Sequence, residues 1–384
     1  MPEILTQSEI RIEGYRRLGV IREQMRETKL DALLIYSQRR GHVAYVSGYI
    51  PNYHTNSAVV ILPADGEPVL LIRFGFDMPR AKTLSWFKDI RTADADHPGG
   101  FLRQCLQTMA EMKLDKAQIG LVAGDETVDE IGLSLTRSIH QELSGAHVRH
   151  VAELITRMRL AKQPGEIQKL QRSAGLAELA AAALKNSLIP GNDDFEAMGA
   201  AAHAAIRGGA DRCDAIISTR PAHLALPPSH KRFEQGNPVS VELTVLCEGY
   251  WVQICRTYSM GQPSPYQKNL FKACLEAYQS ALDVARPGTP VSELARAAMD
   301  PLNKSGFEGC VKYGLGHGVG LDLPEPYEVE LHSHDILPDK MVLVVHVGAW
   351  AANGQAAAFV GGPILINPQG ASQLDQPQTD IVEV

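Results

Sequence analysis

Gly316-His-Gly-Val-Gly-Leu-Asp-Leu-Pro-Glu-Pro326 sets one imidazole, His317, inside a run of glycines. Glycine on both sides lets the backbone bend and come close to a ligand. Downstream, Met341-Val-Leu-Val-Val-His-Val-Gly348 places a second imidazole, His346, in an apolar run that reads as a buried strand. A buried imidazole needs a partner, because an unpaired buried polar group costs roughly 1–3 kcal/mol. Upstream lie Gly236-Asn-Pro-Val-Ser-Val-Glu-Leu243 and Gly249-Tyr-Trp-Val-Gln-Ile-Cys-Arg-Thr-Tyr258, two strand patterns joined by Cys247-Glu248-Gly249. In the second, Gln253, Cys255 and Thr257 alternate and share one face, while Glu242 shares a face with Thr244 and Leu246 on the first. Farther out, Arg159-Leu-Ala-Lys-Gln-Pro-Gly-Glu-Ile167 leads into an alanine-rich helix at Glu166 to Asn186, with Pro164 just before its start.

The whole chain has 384 residues, 37 Lys+Arg against 44 Asp+Glu and a formal charge of −7. Bulk charge therefore does not drive it onto nucleic acid or an anionic membrane, and neither is expected as a partner. At 45% apolar and 21% charged the composition is globular, and the length favours two domains with sizeable cores. The most apolar stretch, Met341 to Ile366, is broken by His346, Asn353, Gln355, Pro363 and glycines, so no transmembrane segment is expected. The acidic N-terminal stretch lacks an apolar signal core, which points to the cytoplasm. Six cysteines without a CxxC pair indicate reduced thiols rather than a disulfide framework or a zinc ribbon.

Glu13 to Lys29 has helical spacing, Asp31 to Tyr36 reads as a buried strand, and Ser57 to Leu62 with Pro68 to Phe74 flank the hairpin signal Asp65-Gly66. A helical segment at Phe101 to Met112 and a strand at Ile119 to Val122 complete an α/β unit of residues 1–155, with a second domain at 156–384. That second half adds helices at Asp194 to Arg207, Tyr266 to Ala285 and Val291 to Ser305, the last two separated by Pro287-Gly288. Strands are expected at Val239 to Leu246, Tyr250 to Met260, Met341 to Val347, Ala356 to Val360 and Ile364 to Ile366.

The order and spacing of these segments, together with Ala44-Tyr-Val-Ser-Gly48 and Pro287-Gly-Thr-Pro-Val-Ser-Glu-Leu294, resemble the creatinase / prolidase / aminopeptidase P family over nearly the whole chain. The resemblance implies an α/β N-terminal creatinase-type domain. It implies a C-terminal pita-bread domain, α+β, whose curved pseudo-symmetric antiparallel sheet is flanked by helices, in a homodimer. Peptidase members of the family hold two divalent metals with Asp, Asp, His, Glu and Glu. Carried over residue by residue, these positions fall on Glu242, Gln253, His317, His346 and Gly361, and only the histidine is unchanged. Glu242 alone would leave roughly three positive charges unbalanced in a buried pocket, at several kcal/mol per ion, so a dinuclear peptidase site is not expected. The family's second histidine, before Glu-Pro, is here Pro324.

If the fold holds, Glu242, Gln253, His317 and His346 converge, which marks a catalytic or ligand site. The competing structural readings are a core histidine for His346, an ion pair of Glu242 with Arg256, a strand-bridging amide for Gln253 and a small core residue for Cys255. In Arg220-Pro-Ala-His-Leu-Ala-Leu-Pro-Pro-Ser-His230, His223 fits the histidine that serves acid–base catalysis in creatinase, and His230 fits less well. Glu325 and Tyr327 are candidates for the pocket mouth. Tyr49, Tyr53, His54 and Arg73 resemble segments that reach the partner subunit's site in creatinase. The leading expectation is a metal-independent, creatinase-like hydrolase without cofactor, cleaving a C–N bond in a small nitrogen-containing carboxylate compound. His317, His346, His223 and Glu242 would move protons, and Gln253, Cys255, Glu325, Tyr327, Tyr53, His54 and Arg73 would bind substrate. The alternatives are a mononuclear lyase or hydrolase with one transition-metal ion on His317, His346 and Glu242, and a non-catalytic peptide-binding protein.

Overall fold

The computed structural model describes residues 7–37, 41–51, 57–92, 100–122, 138–139, 141–219 and 226–384. The chain divides into two compact units, Met1–Arg159 and Leu160–Val384.

In the first unit, helices α1 (Gln7–Glu27), α2 (Gly41–Ser47), α3 (Met78–Leu84) and α4 (Gly100–Glu111) accompany strands β1 (Ala32–Ser37), β2 (Ala58–Pro63), β3 (Val69–Ile72), β4 (Asp89–Thr92), β5 (Gln118–Val122) and β6 (His147–His150). A last helix, α5, covers Ala152–Leu160. The sheet order is β4-β3-β2-β1-β5-β6. The Asp65-Gly66 signal holds: β2 and β3 pair antiparallel around it. Leu18, Ile21 and Met25 of α1 are buried as their spacing predicts. Cys105 and Met109 of α4 pack with Leu34, Val59, Leu71 and Leu121 of the sheet.

The second unit repeats one plan twice. Helices α6 (Pro164–Ser187) and α7 (Asp194–Arg207) precede strands β7 (Arg212–Ser218), β8 (Pro238–Cys247) and β9 (Tyr250–Ser259). Helices α8 (Pro265–Val284) and α9 (Val291–Lys304) then precede β10 (Gly316–Gly318), β11 (Glu325–Glu328), β12 (Val342–Trp350) and β13 (Ala357–Asn367). Short strands β14 (Gly370–Gln373) and β15 (Val382–Glu383) finish it, in a sheet ordered β11-β10-β12-β13-β9-β8-β7 with β14 on β13 and β15 on β9. Helix starts follow local chemistry. Asp193 accepts from Glu196 N while the Glu196 carboxylate accepts from Asp193 N at 2.9 Å, a reciprocal cap on α7.

Alternation decides which face of β12 is covered. Leu343, Val345, Val347 and Ala349 join the apolar cluster formed with α8 and α9, so His346, Gly348 and Trp350 point to the opposite face. The two strands expected at 356–360 and 364–366 are a single strand, β13, paired with β12 through Gly361-Gly362-Pro363. The glycines that read as a break sit where neighbours leave no room: a Cβ on Gly362 would lie 2.4 Å from the Asp375 carboxylate.

The halves join at β9 and β13 through one residue pair, Gly361 with Cys255. Beside it a side chain replaces the ladder, since the Thr257 hydroxyl donates to Phe359 O at 3.0 Å and accepts from Phe359 N at 2.9 Å. Behind the seam, Arg256 donates to Glu178 at 2.5 Å and to Asp375 at 3.0 Å, and the Asp375 side chain has no exposed area. Burial raises the Asp375 carboxyl above its ordinary value, opposed by Arg256. Arg256→Met strands that carboxylate, and breaking a buried pair in this way costs roughly 3–5 kcal/mol. Urea unfolding of the variant at pH 7.5 should show that loss. The deficit should shrink at pH 5, where the stranded carboxyl takes up a proton.

Candidate functional site

Strand register lines up the candidate residues in one row. His346 pairs with Gly361, Gly361 with Cys255, Cys255 with Glu242, and Glu242 with Ile216. Residues directly opposite one another share a face, so His346, Cys255, Glu242 and Ile216 project together on the face that α8 and α9 leave uncovered. Gln253 lies two residues from Cys255, and His317 pairs with Val344, two residues from His346, so both join that face.

His317 and Gln253 are in contact. His317 Nδ1 lies 2.9 Å from the Gly318 carbonyl, which can only accept, so in the neutral ring Nδ1 carries the proton. Nε2 then keeps a lone pair, 3.1 Å from Gln253 Oε1. Burial lowers the His317 pKa, which favours the neutral ring, and with a neutral ring a half-turn of the Gln253 amide, which puts its NH2 on Nε2, makes the hydrogen bond. Glu242 is half-buried, and burial pushes its carboxyl up from 4.5 to about 7. It shows no hydrogen bond or ion pair among the described residues. Arg256, the expected structural partner of Glu242, is held by Glu178 and Asp375 on the other face.

His346 is only 5% exposed, and its Nδ1 has no hydrogen-bond partner among the described residues. Burial, then the neighbouring His317, depress its pKa to about 3. The expectation that it exchanges protons near neutrality is therefore corrected: at neutral pH this ring is uncharged. Cys255 is fully buried with its thiol pKa raised well above the ordinary value by burial and by Glu242, the opposite of an activated nucleophile.

Glu325 does not stand at a pocket mouth. It is buried and bound to Lys162 Nζ at 2.6 Å. Tyr327 packs on the cluster of the helix-covered face. In the first unit, Arg73 is exposed with its guanidinium over the Phe74 ring, and the buried Tyr49 hydroxyl donates to Asp77. His230 is exposed and faces Asp193. His223, Tyr53 and His54 lie outside the described residues.

Three aromatic residues escaped the sequence reading. Tyr313 stacks on Phe359 with centroids 5.6 Å apart, Trp350 meets both rings edge-on at 5.3 Å, and Phe359 meets His346 at 5.4 Å. The rings need Gly348, where a Cβ would sit 2.6 Å from Trp350. The signal was present as simple alternation: Trp350 lies two steps of two from His346, and Phe359 one step from Gly361.

A family model described as Metallopeptidase family M24 matches residues 168–368, just over half the chain, and one described as the Creatinase/Prolidase N-terminal domain matches 17–161. Xaa-Pro dipeptidase of Pyrococcus horikoshii is 28% identical over 239 residues, covering 61% of this chain and 68% of that one. The prolidase structure from Pyrococcus horikoshii superposes with TM-score 0.82 at 22% identity, covering 94% of this chain and 99% of that chain. The Xaa-Pro dipeptidase structure from Bacillus anthracis gives 0.83 at 20% identity, covering 97% and 100%. These matches overturn the expectation of a metal-independent, creatinase-like hydrolase without cofactor: the matching model is that of a metallopeptidase family, and the relatives are named as dipeptidases and prolidases.

The five family ligand positions nevertheless do not fit a pair of ions. They offer a single carboxyl, one amide engaged with His317, and a buried imidazole. At the fifth, Gly361, a Cβ would lie 2.3 Å from Val345 O and 2.5 Å from His346 Cα, so the strand leaves no room for a ligating side chain. Among the described residues no three His, Cys, Asp or Glu side chains are grouped to hold a metal ion, and Glu242, His317 and His346 do not form such a group.

The Glu242 shift predicts a stability profile. A carboxyl whose folded pKa lies above its unfolded value stabilises the fold fully below 4.5, and that contribution is lost as pH rises through about 7. At about 1.4 kcal/mol per unit, ionised Glu242 costs the fold roughly 3 kcal/mol. Glu242→Gln should therefore exceed the parent in stability at pH 8 and match it at pH 4, measured by urea unfolding at both. His346 runs the other way, its stabilising neutral state being lost as pH falls from 6.5 toward about 3.

Proposed function

The chain belongs to Metallopeptidase family M24, and on that footing we propose that it hydrolyses the C–N bond of a small peptide-like substrate bound on the uncovered face of the second unit. The observation that carries this reading is the row His346–Gly361–Cys255–Glu242, laid across four strands with the His317–Gln253 pair beside it. Support for a dipeptide-sized substrate comes from the relatives, named Xaa-Pro dipeptidase and prolidase. The finer part of the proposal is that the site is not the two-ion centre of the family, since its donor set holds a single carboxyl and Gly361 leaves no space for another.

Each group has a distinct place. Glu242, with a pKa near 7, both takes and returns a proton at working pH. His317 keeps its Nδ1 proton on the Gly318 carbonyl and its Nε2 against the Gln253 amide at 3.1 Å, and a substrate N–H or O–H that displaces this amide would meet the Nε2 lone pair. His346 and the Phe359–Trp350–Tyr313 rings form an uncharged wall. In that low-dielectric surrounding a hydrogen bond to a developing charge is strengthened.

Purified protein should release amino acids from a panel of dipeptides, Xaa-Pro among them, assayed across added Mn²⁺, Co²⁺ and Zn²⁺. Glu242→Gln should lower kcat by roughly 10²–10⁴-fold, the usual share of a proton-transfer group. Absence of turnover on every dipeptide at every metal level would end the hydrolase reading. Activity that requires two equivalents of ion would end its finer part. The family resemblance also supports a homodimer, for which light scattering should give about twice the 41.8 kDa chain mass.

A further inference from the structure

We infer that the buried Lys162–Glu325 ion pair is a positioning device that sets the orientation of the His317 ring. Lys162 Nζ lies 2.6 Å from Glu325 Oε2, and the two side chains are 2% and 3% exposed. The other carboxylate oxygen, Oε1, accepts from Leu321 N at 3.1 Å. Gly320 makes room for this carboxylate, since a Cβ there would stand 2.8 Å from both of its oxygens. The carboxylate therefore grips the inside of the turn that runs from Gly318 to Glu325.

That turn carries the atom that orients His317. Gly318 pairs with Glu325 across β10 and β11, and the Gly318 carbonyl receives His317 Nδ1 at 2.9 Å. The backbone that carries this lysine is anchored independently of the turn: the Lys162 amide donates to Lys340 O at 2.9 Å, and Ala161 bridges to Met341, at the head of β12. Because β12 is the other neighbour of β10, the pair ties both flanks of His317 to one point. Trp251 N, donating to Gly320 O at 2.7 Å, closes the turn from β9.

Stability alone does not call for two buried charges, because a buried ion pair often contributes no more than apolar residues of the same volume. What the pair supplies is a fixed distance. A loosened turn would swing the Gly318 carbonyl, release the Nδ1 proton and let the ring change tautomer, which would take the Nε2 lone pair off the site face. The inference rests on the place of His317 in the proposed site, but its readout requires no substrate.

The full chain labelled with 15N-histidine should show a slowly exchanging Nδ1–H resonance, assigned to His317 by its loss in His317→Gln. Lys162→Met should lose that resonance, or speed its exchange with water at least tenfold, with the far-ultraviolet dichroism unchanged, whereas Lys162→Arg should keep it. A folded Lys162→Met that retains the signal overturns the inference. Because Lys162→Met strands a buried carboxylate, the uncharged combination Lys162→Met with Glu325→Gln is measured beside it, and retention there overturns the inference equally. In the unmodified protein the Leu321 amide should exchange only through global unfolding. Rapid local exchange of that amide, or absence of a protected His317 resonance, would overturn the clamp whatever the variants show.

Discussion

The approach of β12 to Gly361 is the constraint on which the second unit depends. The strands lie so close that any side chain at position 361 would enter the backbone of Val345 and His346. Only glycine permits that contact, and the contact lets β13 pass on to meet Cys255 of β9 and join the two repeated halves of the sheet. The same closeness puts His346, Cys255 and Glu242 in one transverse row. Sheet closure and site assembly are thus one event, and the residue that permits both is the one that removes a ligand position from the family pattern.

Charge is distributed to match. The seam places its ion network behind the sheet, where Arg256 satisfies Glu178 and Asp375, and leaves the front with Glu242 as the carboxyl of the row. Aromatic rings then occupy the front face, with Tyr313, Trp350 and Phe359 packed against His346 and against one another. Burial against that apolar surface penalises the charged form of every titratable group. Carboxyl and thiol pKa values rise and imidazole pKa values fall, as for Glu242, Cys255, His317 and His346. The site is therefore close to neutral at physiological pH, with Glu242 the group in the row that titrates there.

Much of the fold was legible locally. Helix starts at Pro164, Asp193 and Ser264 carry their own caps, and the alternation of β8, β9 and β12 separates the covered from the uncovered face before any contact is known. No break falls at Gly361-Gly362-Pro363, because glycine and proline signal a turn only when no neighbour demands a small residue, and here β12 and Asp375 do. Glu325 looked like a mouth residue because its partner, Lys162, is remote in the chain. The aromatic wall needed two alternations to be superposed, one on β12 and one on β13, and the register between them is invisible in one dimension.

The amino-acid sequence by itself determined the family, the two-part organisation, and the strands that carry Glu242, Gln253 and His346. These follow from short-range periodicity, capping and motif order. Tertiary structure alone decided that Arg256 belongs to Asp375 and Glu178 rather than to Glu242, that His346 is sealed and uncharged, that Glu325 answers Lys162, and that Glu242 titrates near neutrality. Each of those depends on desolvation and on pairing between residues far apart in the chain. Burial and distance come into existence only when the sheet closes.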